Sequence, residues 1–181
     1  MHLKLQRTAA FTLVETCIAV GLSGLLVAGV GSFSYYLSRT AASMTNYADL
    51  DKQGQLALDK FTQQVRQVQK LTSCGTFNST ITNLTFLDYD GGTLSFTYDP
   101  ANRTLTRRKD GASEYLLTGC NSCQFQIFQR NVQWGTFDAI TTATATNCKL
   151  VEVSWNCGRK ILGANATTEN MQSAKVDIRA K

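Results

Sequence analysis

The side chains able to do chemistry in this chain are few and unevenly placed. Glu15 stands at the head of an apolar run, "RTAAFTLVETCIAV" and onward, in which the next charge is Arg39. An acid in hydrocarbon is costly, so such a residue marks a functional site that needs a partner. Cys120 and Cys123, in "CNSC", have the spacing of a redox pair, but they follow a strand pattern in a meander and not in a βαβ unit, which disfavours a thiol oxidoreductase. Asp88 and Asp90 in "DYDGG" offer two carboxylates beside glycines; the other ligands of a calcium loop are missing, and a hairpin turn is the better reading. "RTLTRRK" gathers Arg103, Arg107, Arg108 and Lys109 near one turn, with Phe96 and Tyr98 nearby. Basic and aromatic groups together can hold nucleic acid, yet a solvated basic hairpin is the simpler reading, so nucleic acid is not an expected partner. His2 is the single histidine and precedes the apolar run. Once the leader is removed, His-based triads, His metal ligands and a His general base are all absent. The residues predict no enzyme, no cofactor and no metal.

The elements that position these residues follow from length and pattern. The chain has 181 residues, a hydrophobic share of 43% and a formal charge of +5, enough for one head and an appendage. Removal of residues 1–10 takes Lys4 and Arg7 and leaves +3, a weak pull on any polyanion. Thr16 to Ser38 are 23 uncharged residues, ~35 Å of helix against a hydrocarbon thickness of ~30 Å. His2, Lys4 and Arg7 precede this span while Asp49 and Asp51 follow it, which places the N-terminus in the cytoplasm and the C-terminal part outside. An ordinary signal peptide is the alternative, with "GLLVAG" before a small-residue cleavage site; a signal peptide has no use for Glu15.

Beyond the span, Leu50, Ala57, Phe61, Val65 and Val68 keep helical spacing. The spacing predicts a helix from Thr12 to Leu71, ~90 Å long, ended by "TSCGTFNST". Asp49 and Asp51 against Arg66 and Lys70 read as a solvated helix with favourable end charges. Residues 81–181 read as strands. "TLSFTYD" puts Leu94, Phe96 and Tyr98 on one face between the turns "DYDGGT" and "DPANRT", and "RTLTRRKDGASEYLL" repeats strand, turn, strand through Asp110 and Gly111. "CQFQIF", "KLVEVSW" and "SAKVDIRA" follow, the last with Ala174, Val176 and Ile178 inward. A long N-terminal helix on an antiparallel sheet is an α+β fold.

A short basic leader, the small residue Ala10, "FTLVE" and an apolar helix resemble the start of a type IV prepilin or pseudopilin. The head order, with "GTLSFTYDPANRTLTRR", "LLTGCNSCQFQIFQR" and "QSAKVDIR", is similar to the J component of type II secretion and the W-type minor pilin. The resemblance implies a leader at 1–10, a membrane or filament-core helix at 11–38, a soluble continuation at 39–72 and a β head at 73–181. It implies cleavage between Ala10 and Phe11 by a prepilin peptidase and N-methylation of Phe11; Ala10 departs from the family's usual Gly. It also implies a structural subunit of an inner-membrane, single-pass kind that primes or joins a type IV pilus or secretion pseudopilus, with other pilin subunits and an inner-membrane assembly platform as partners. A binding subunit for DNA, a surface or an exported protein is the alternative.

Cleavage would create an amine on Phe11, ~6 Å along the helix from Glu15. The two can partly neutralise each other within one helix, or Glu15 of one subunit can meet the Phe11 amine of its neighbour; the resemblance implies the second. A buried pair of this kind selects axial register more than it adds affinity. An interfacial Glu among lipid headgroups is the bland alternative. Gly24, Ala28 and Ser32 recur every four residues, a stripe that lets helices approach closely, although membrane helices commonly carry glycine. In an exported head, Cys74, Cys120, Cys123, Cys148 and Cys157 meet an oxidising space. Pairing the strands so that Phe125 faces Trp155 and Ile127 faces Val153 sets Cys123 opposite Cys157 as a disulfide. Cys120–Cys123, Cys120–Cys148 and buried thiols remain open.

Overall fold

From Thr12 to Gln67 the sequence holds no proline, and nothing in it stops a helix once one is nucleated. The computed structural model describes residues 12–130, 139–141, 144–161, 164–165 and 170–178. In it one helix, α1, runs Leu13–Gln67. The chain divides into a first unit, Met1–Ala42, and a second, Ser43–Lys181. The described part of the first unit is helical from Leu13 onward.

In the second unit, α1 lays one stripe on a sheet. Leu50, Ala57, Phe61 and Val65 are each at most 3% exposed, the face that the spacing predicts. Gly54 completes the row. A Cβ there would lie 2.6 Å from Oε1 of Gln172, so the end of the Gln172 side chain occupies the space that this residue leaves open. Phe61 is the centre of the core, edge-on to Phe96 at 4.9 Å and stacked on Phe125 at 6.1 Å. Such aromatic contacts add to what burial alone contributes.

The helix stops earlier than its periodicity predicts. Residues Lys70–Phe77 form strand β1, antiparallel to β2, Thr80–Leu87. Val68 and Leu71 are both buried, and Gln69 N–H donates to the Leu87 carbonyl at 2.9 Å. Pairing with β2 outcompetes local helical preference here. Asn78 and Ser79 take positive φ of 49° and 64° and supply the tight turn that joins the two strands. A boundary between residues 72 and 73 therefore falls inside β1, not at a helix end.

The remaining strands are β3 Thr93–Asp99, β4 Thr104–Lys109, β5 Ala112–Thr118, β6 Cys120–Arg130, β7 Ala139–Thr141, β8 Leu150–Cys157 and β11 Asn170–Asp177, with the short pair β9 Lys160–Ile161 and β10 Ala164–Asn165. The nine-stranded sheet has the order β11-β8-β6-β2-β3-β4-β5, with β1 on β2 and β7 on β6. Its pairings are antiparallel, so the molecule is α+β. Leu94, Phe96 and Tyr98 are buried in the core with the helix stripe, as are Val176 and Ile178, in agreement with their alternation. Asp110 and Gly111, with φ of 49° and 91°, turn β4 into β5 as the Asp-Gly signal predicts.

The register of β6 on β8 differs from the one set by pairing Phe125 with Trp155. Phe125 faces Val153, Ile127 faces Val151, and Cys123 faces Trp155. A bulge between Cys120 and Ser122 then brings Cys120 opposite Cys157. The Cys123–Cys157 pairing is corrected by this geometry. The extra residue, Asn121, lets Cys120 and Cys123 both face the core, which an unbroken strand forbids at that spacing.

Candidate functional site

The acid of the apolar run and the cysteines of "CNSC" lie at two places: the first turns of α1 and the corner where β6 meets β8. Ala10 and Phe11 lie outside the described residues. Glu15 does not. Its Oε2 accepts the backbone N–H of Thr12 at 3.0 Å and the Thr12 hydroxyl at 3.0 Å, while Glu15 N–H donates to Thr12 Oγ1 at 3.3 Å. Thr12 and Glu15 thus form a reciprocal capping box, which satisfies amides that open every helix. The T-x-x-E spacing of "TLVE" was the signal for it. Glu15 has a local partner, then, as well as any partner outside the chain.

Three hydroxyls further along bond within the helix. Thr16 donates to the Thr12 carbonyl at 3.2 Å, Ser23 to Ala19 at 2.7 Å and Thr40 to Tyr36 at 3.0 Å. That removes the cost of carrying hydroxyls through an apolar medium. α1 is long and apolar enough to cross a membrane, and none of its most apolar window is buried within the chain. Leu25, Val27 and Phe33 are 72%, 72% and 63% exposed. Among the described residues none before Leu50 is buried.

Gly24, Ala28 and Ser32 share one face of this helix and are exposed. A Cβ added at Gly21, Gly24, Gly29 or Gly31 would meet nothing within 4 Å. Glycine inside a helix costs about 0.5–1 kcal/mol relative to alanine. Among the described residues no contact requires these four.

At the β6–β8 corner, Cys120 and Cys157 are buried with their Sγ atoms 2.6 Å apart, both as free thiols. Contact with Cys157 and burial push the Cys120 thiol up from its ordinary range. Accepting that S–H bond, with the Arg103 guanidinium nearby, lowers Cys157. Burial pushes Cys123 up. "CNSC" is thus two inward-facing residues on a bulged strand, and its sulfurs lack the exposed, low-pKa setting of a redox pair.

The other clusters are spent on the fold. Asp88 Oδ1 accepts Tyr89 N–H at 2.8 Å and Oδ2 meets Lys109 Nζ at 2.5 Å, while Asp90 Oδ1 accepts Gly92 N–H at 3.2 Å. "DYDGG" is the hairpin turn between β2 and β3. Burial raises the Asp88 carboxyl, but the Lys109 ammonium and the Tyr89 amide outweigh it and hold the group below the usual carboxylate range. Of the basic group, Arg107 donates to Gln64 of α1 at 2.6 Å and pairs with Glu114 at 3.5 Å. Arg103 donates to the Gly119 and Gly158 carbonyls at 3.3 and 3.4 Å. The basic hairpin is less solvated than its charge predicts. Asp49 and Asp51 also have work: Arg159 lies 3.7 Å from Asp49, and Gln172 donates to Asp51 at 3.2 Å. The sheet's other face forms a polar trough of about 1020 Å³ lined by residues such as Thr85, Ser95, Thr106 and Tyr115. No protein-family model and no curated protein matches the chain.

Proposed function

We propose that the chain is a minor pilin or pseudopilin, a structural subunit that primes or joins a type IV pilus or a type II secretion pseudopilus. One observation carries the reading. A single helix has an apolar, glycine-bearing first half with no buried residue, and a second half whose stripe is the core of a β head. An apolar surface of that size needs a membrane or neighbouring helices to cover it. The four glycines that no contact among the described residues requires support neighbours of the same kind. The membrane holds the chain before assembly, with the N-terminus cytoplasmic and the head exported, and the subunit then enters the filament. Glu15 meets the Phe11 amine of the adjoining subunit.

The sequence between the leader and the helix defines the test. Intact-mass measurement on the membrane-extracted protein should give a chain beginning at Phe11 and carrying one added methyl group. A mature protein beginning near Gly29 or Ala41 would identify an ordinary signal peptide and remove the filament reading.

A further inference from the structure

We propose that Cys120 and Cys157 are joined by a disulfide that closes the corner between the start of β6 and the end of β8. The two residues oppose each other on adjacent antiparallel strands, where Cα atoms lie about 4.5–5.5 Å apart, inside the range that disulfides span. Their Sγ atoms already touch at 2.6 Å.

The backbone around them is fixed from several sides. Gly158 N–H donates to the Gly119 carbonyl at 3.0 Å, and Cys120 N–H to the Arg103 carbonyl at 2.9 Å. The Tyr98 hydroxyl donates to the Cys120 carbonyl at 3.1 Å, and Arg103 also donates to the Asn121 side chain. Gly119 sits at φ +74°, and a Cβ there would come within 3.2 Å of the Gly158 carbonyl oxygen. A side chain is strained at this φ, and its Cβ would need the Gly158 carbonyl to give by a few tenths of an ångström. Of the other cysteines of the head, Cys123 is in register with Trp155 and Cys74 with Leu84, and the Cys148 thiol donates to the Leu150 carbonyl at 3.5 Å.

Closure is an oxidation and needs an acceptor, here the disulfide of a thiol–disulfide oxidoreductase or of oxidised glutathione. The Cys157 thiolate attacks that disulfide, expels one thiolate and forms a mixed disulfide. The Cys120 thiolate then attacks Sγ of Cys157 and expels the second. Two S–H bonds are lost, one S–S bond forms, and the acceptor gains the two electrons and two protons. Both sulfurs are nearly inaccessible, at 0% and 3% residue exposure, so the exchange belongs to folding, before the corner shuts. In the cell this rests on the exported head proposed above.

The full chain, unfolded and refolded in detergent with a glutathione redox buffer, tests the pairing. Free thiols are alkylated and the protein is digested without reduction. The expected product is a peptide linking Cys120 to Cys157, with Cys123 alkylated. The bridge closes a long loop, so protein refolded in glutathione should melt roughly 10 °C above protein refolded in reductant. Cys123→Ala should keep that difference, and the Cys120→Ala, Cys157→Ala double variant should lose it. Cys120 and Cys157 both alkylated, or Cys123 bridged to either, would overturn the proposal. Because glutathione supplies the oxidant, such a failure leaves the filament reading standing. A bridge made in the tube but free thiols in protein trapped from cells would count against the exported head.

Discussion

Glu15 combines two roles that substitution can separate. Its carboxylate completes a capping box with Thr12, and its charge is the proposed partner of a neighbour's amine. Glu15→Gln keeps the box, because glutamine serves in the same position, but removes the charge. Thr12→Ala removes the hydroxyl and keeps the charge. All three variants, Glu15→Leu included, should insert in the membrane normally, since the flanking charges still orient the span. The expected result in sheared filaments is a roughly hundredfold loss for Glu15→Gln and Glu15→Leu, and only a few-fold loss for Thr12→Ala, because only the first two leave the amine unpaired. If Thr12→Ala falls as far as Glu15→Leu at equal membrane abundance, Glu15 is a helix cap and the intersubunit pair is wrong. Asp88 gives a second test at this scale. Its carboxyl is held below the usual range, so its contribution is full above the unfolded value of about 3.9 and is lost as pH falls through the lower folded value. Asp88→Asn should melt lower than wild type at pH 7, and the gap should close at the acid end of a melting series. A gap that stays constant with pH would assign the effect to packing and not to the Lys109 pair.

At the scale of elements, the contact of α1 with the sheet is centred on one ring. Phe61 is fully buried between Phe96 and Phe125, so Phe61→Ala should cost about 3–5 kcal/mol, a large part of the about 5–15 kcal/mol that holds a domain. Leu56, 60% exposed on the same helix, should change stability by less than about 0.5 kcal/mol as alanine. Chemical denaturation of the two variants measures both, and equal losses would mean that the stripe is misplaced. That stripe was legible in the sequence, because helical spacing and burial coincide at Leu50, Ala57, Phe61 and Val65; Val68, buried as well, lies past the helix end. The alternation of Leu94, Phe96 and Tyr98 was legible too. The β6–β8 register was not, for a physical reason: a slip of two residues keeps every side chain on its own face. The apolar pattern therefore cannot distinguish Phe125 opposite Trp155 from Phe125 opposite Val153. The bulge at Asn121 leaves no mark in the pattern either, and it decides which cysteine meets Cys157. β1 was hidden because Val68 and Leu71 suit a helical stripe as well as a strand, and only pairing with β2 settles it. The capping box is legible in "TLVE", whose T-x-x-E spacing marks a helix start independently of the membrane cost of Glu15.

The whole molecule divides its apolar residues between two kinds of cover. Every buried residue of the core lies at or beyond Leu50, inside the unit Ser43–Lys181, whereas the large apolar side chains from Leu13 to Leu37 are about half exposed or more. The second unit also contains both partners of each ion pair that ties helix to sheet, such as Lys60 with Glu114 at 2.5 Å and Asp49 with Arg159. Folding of the head should thus be independent of the first 42 residues. A chain cut to 43–181 is expected to be soluble without detergent and monomeric, and to melt cooperatively within a few degrees of the full chain in micelles. The full chain, by contrast, should need detergent, because an exposed apolar helix of this length associates in water. Circular dichroism melts and sedimentation of the two proteins make the comparison. A truncated chain that aggregates, or melts without cooperativity, would mean that residues before Ser43 complete the core. The exposed half of α1 would then be part of the head's own fold, and the case for a filament neighbour covering it would lose its support.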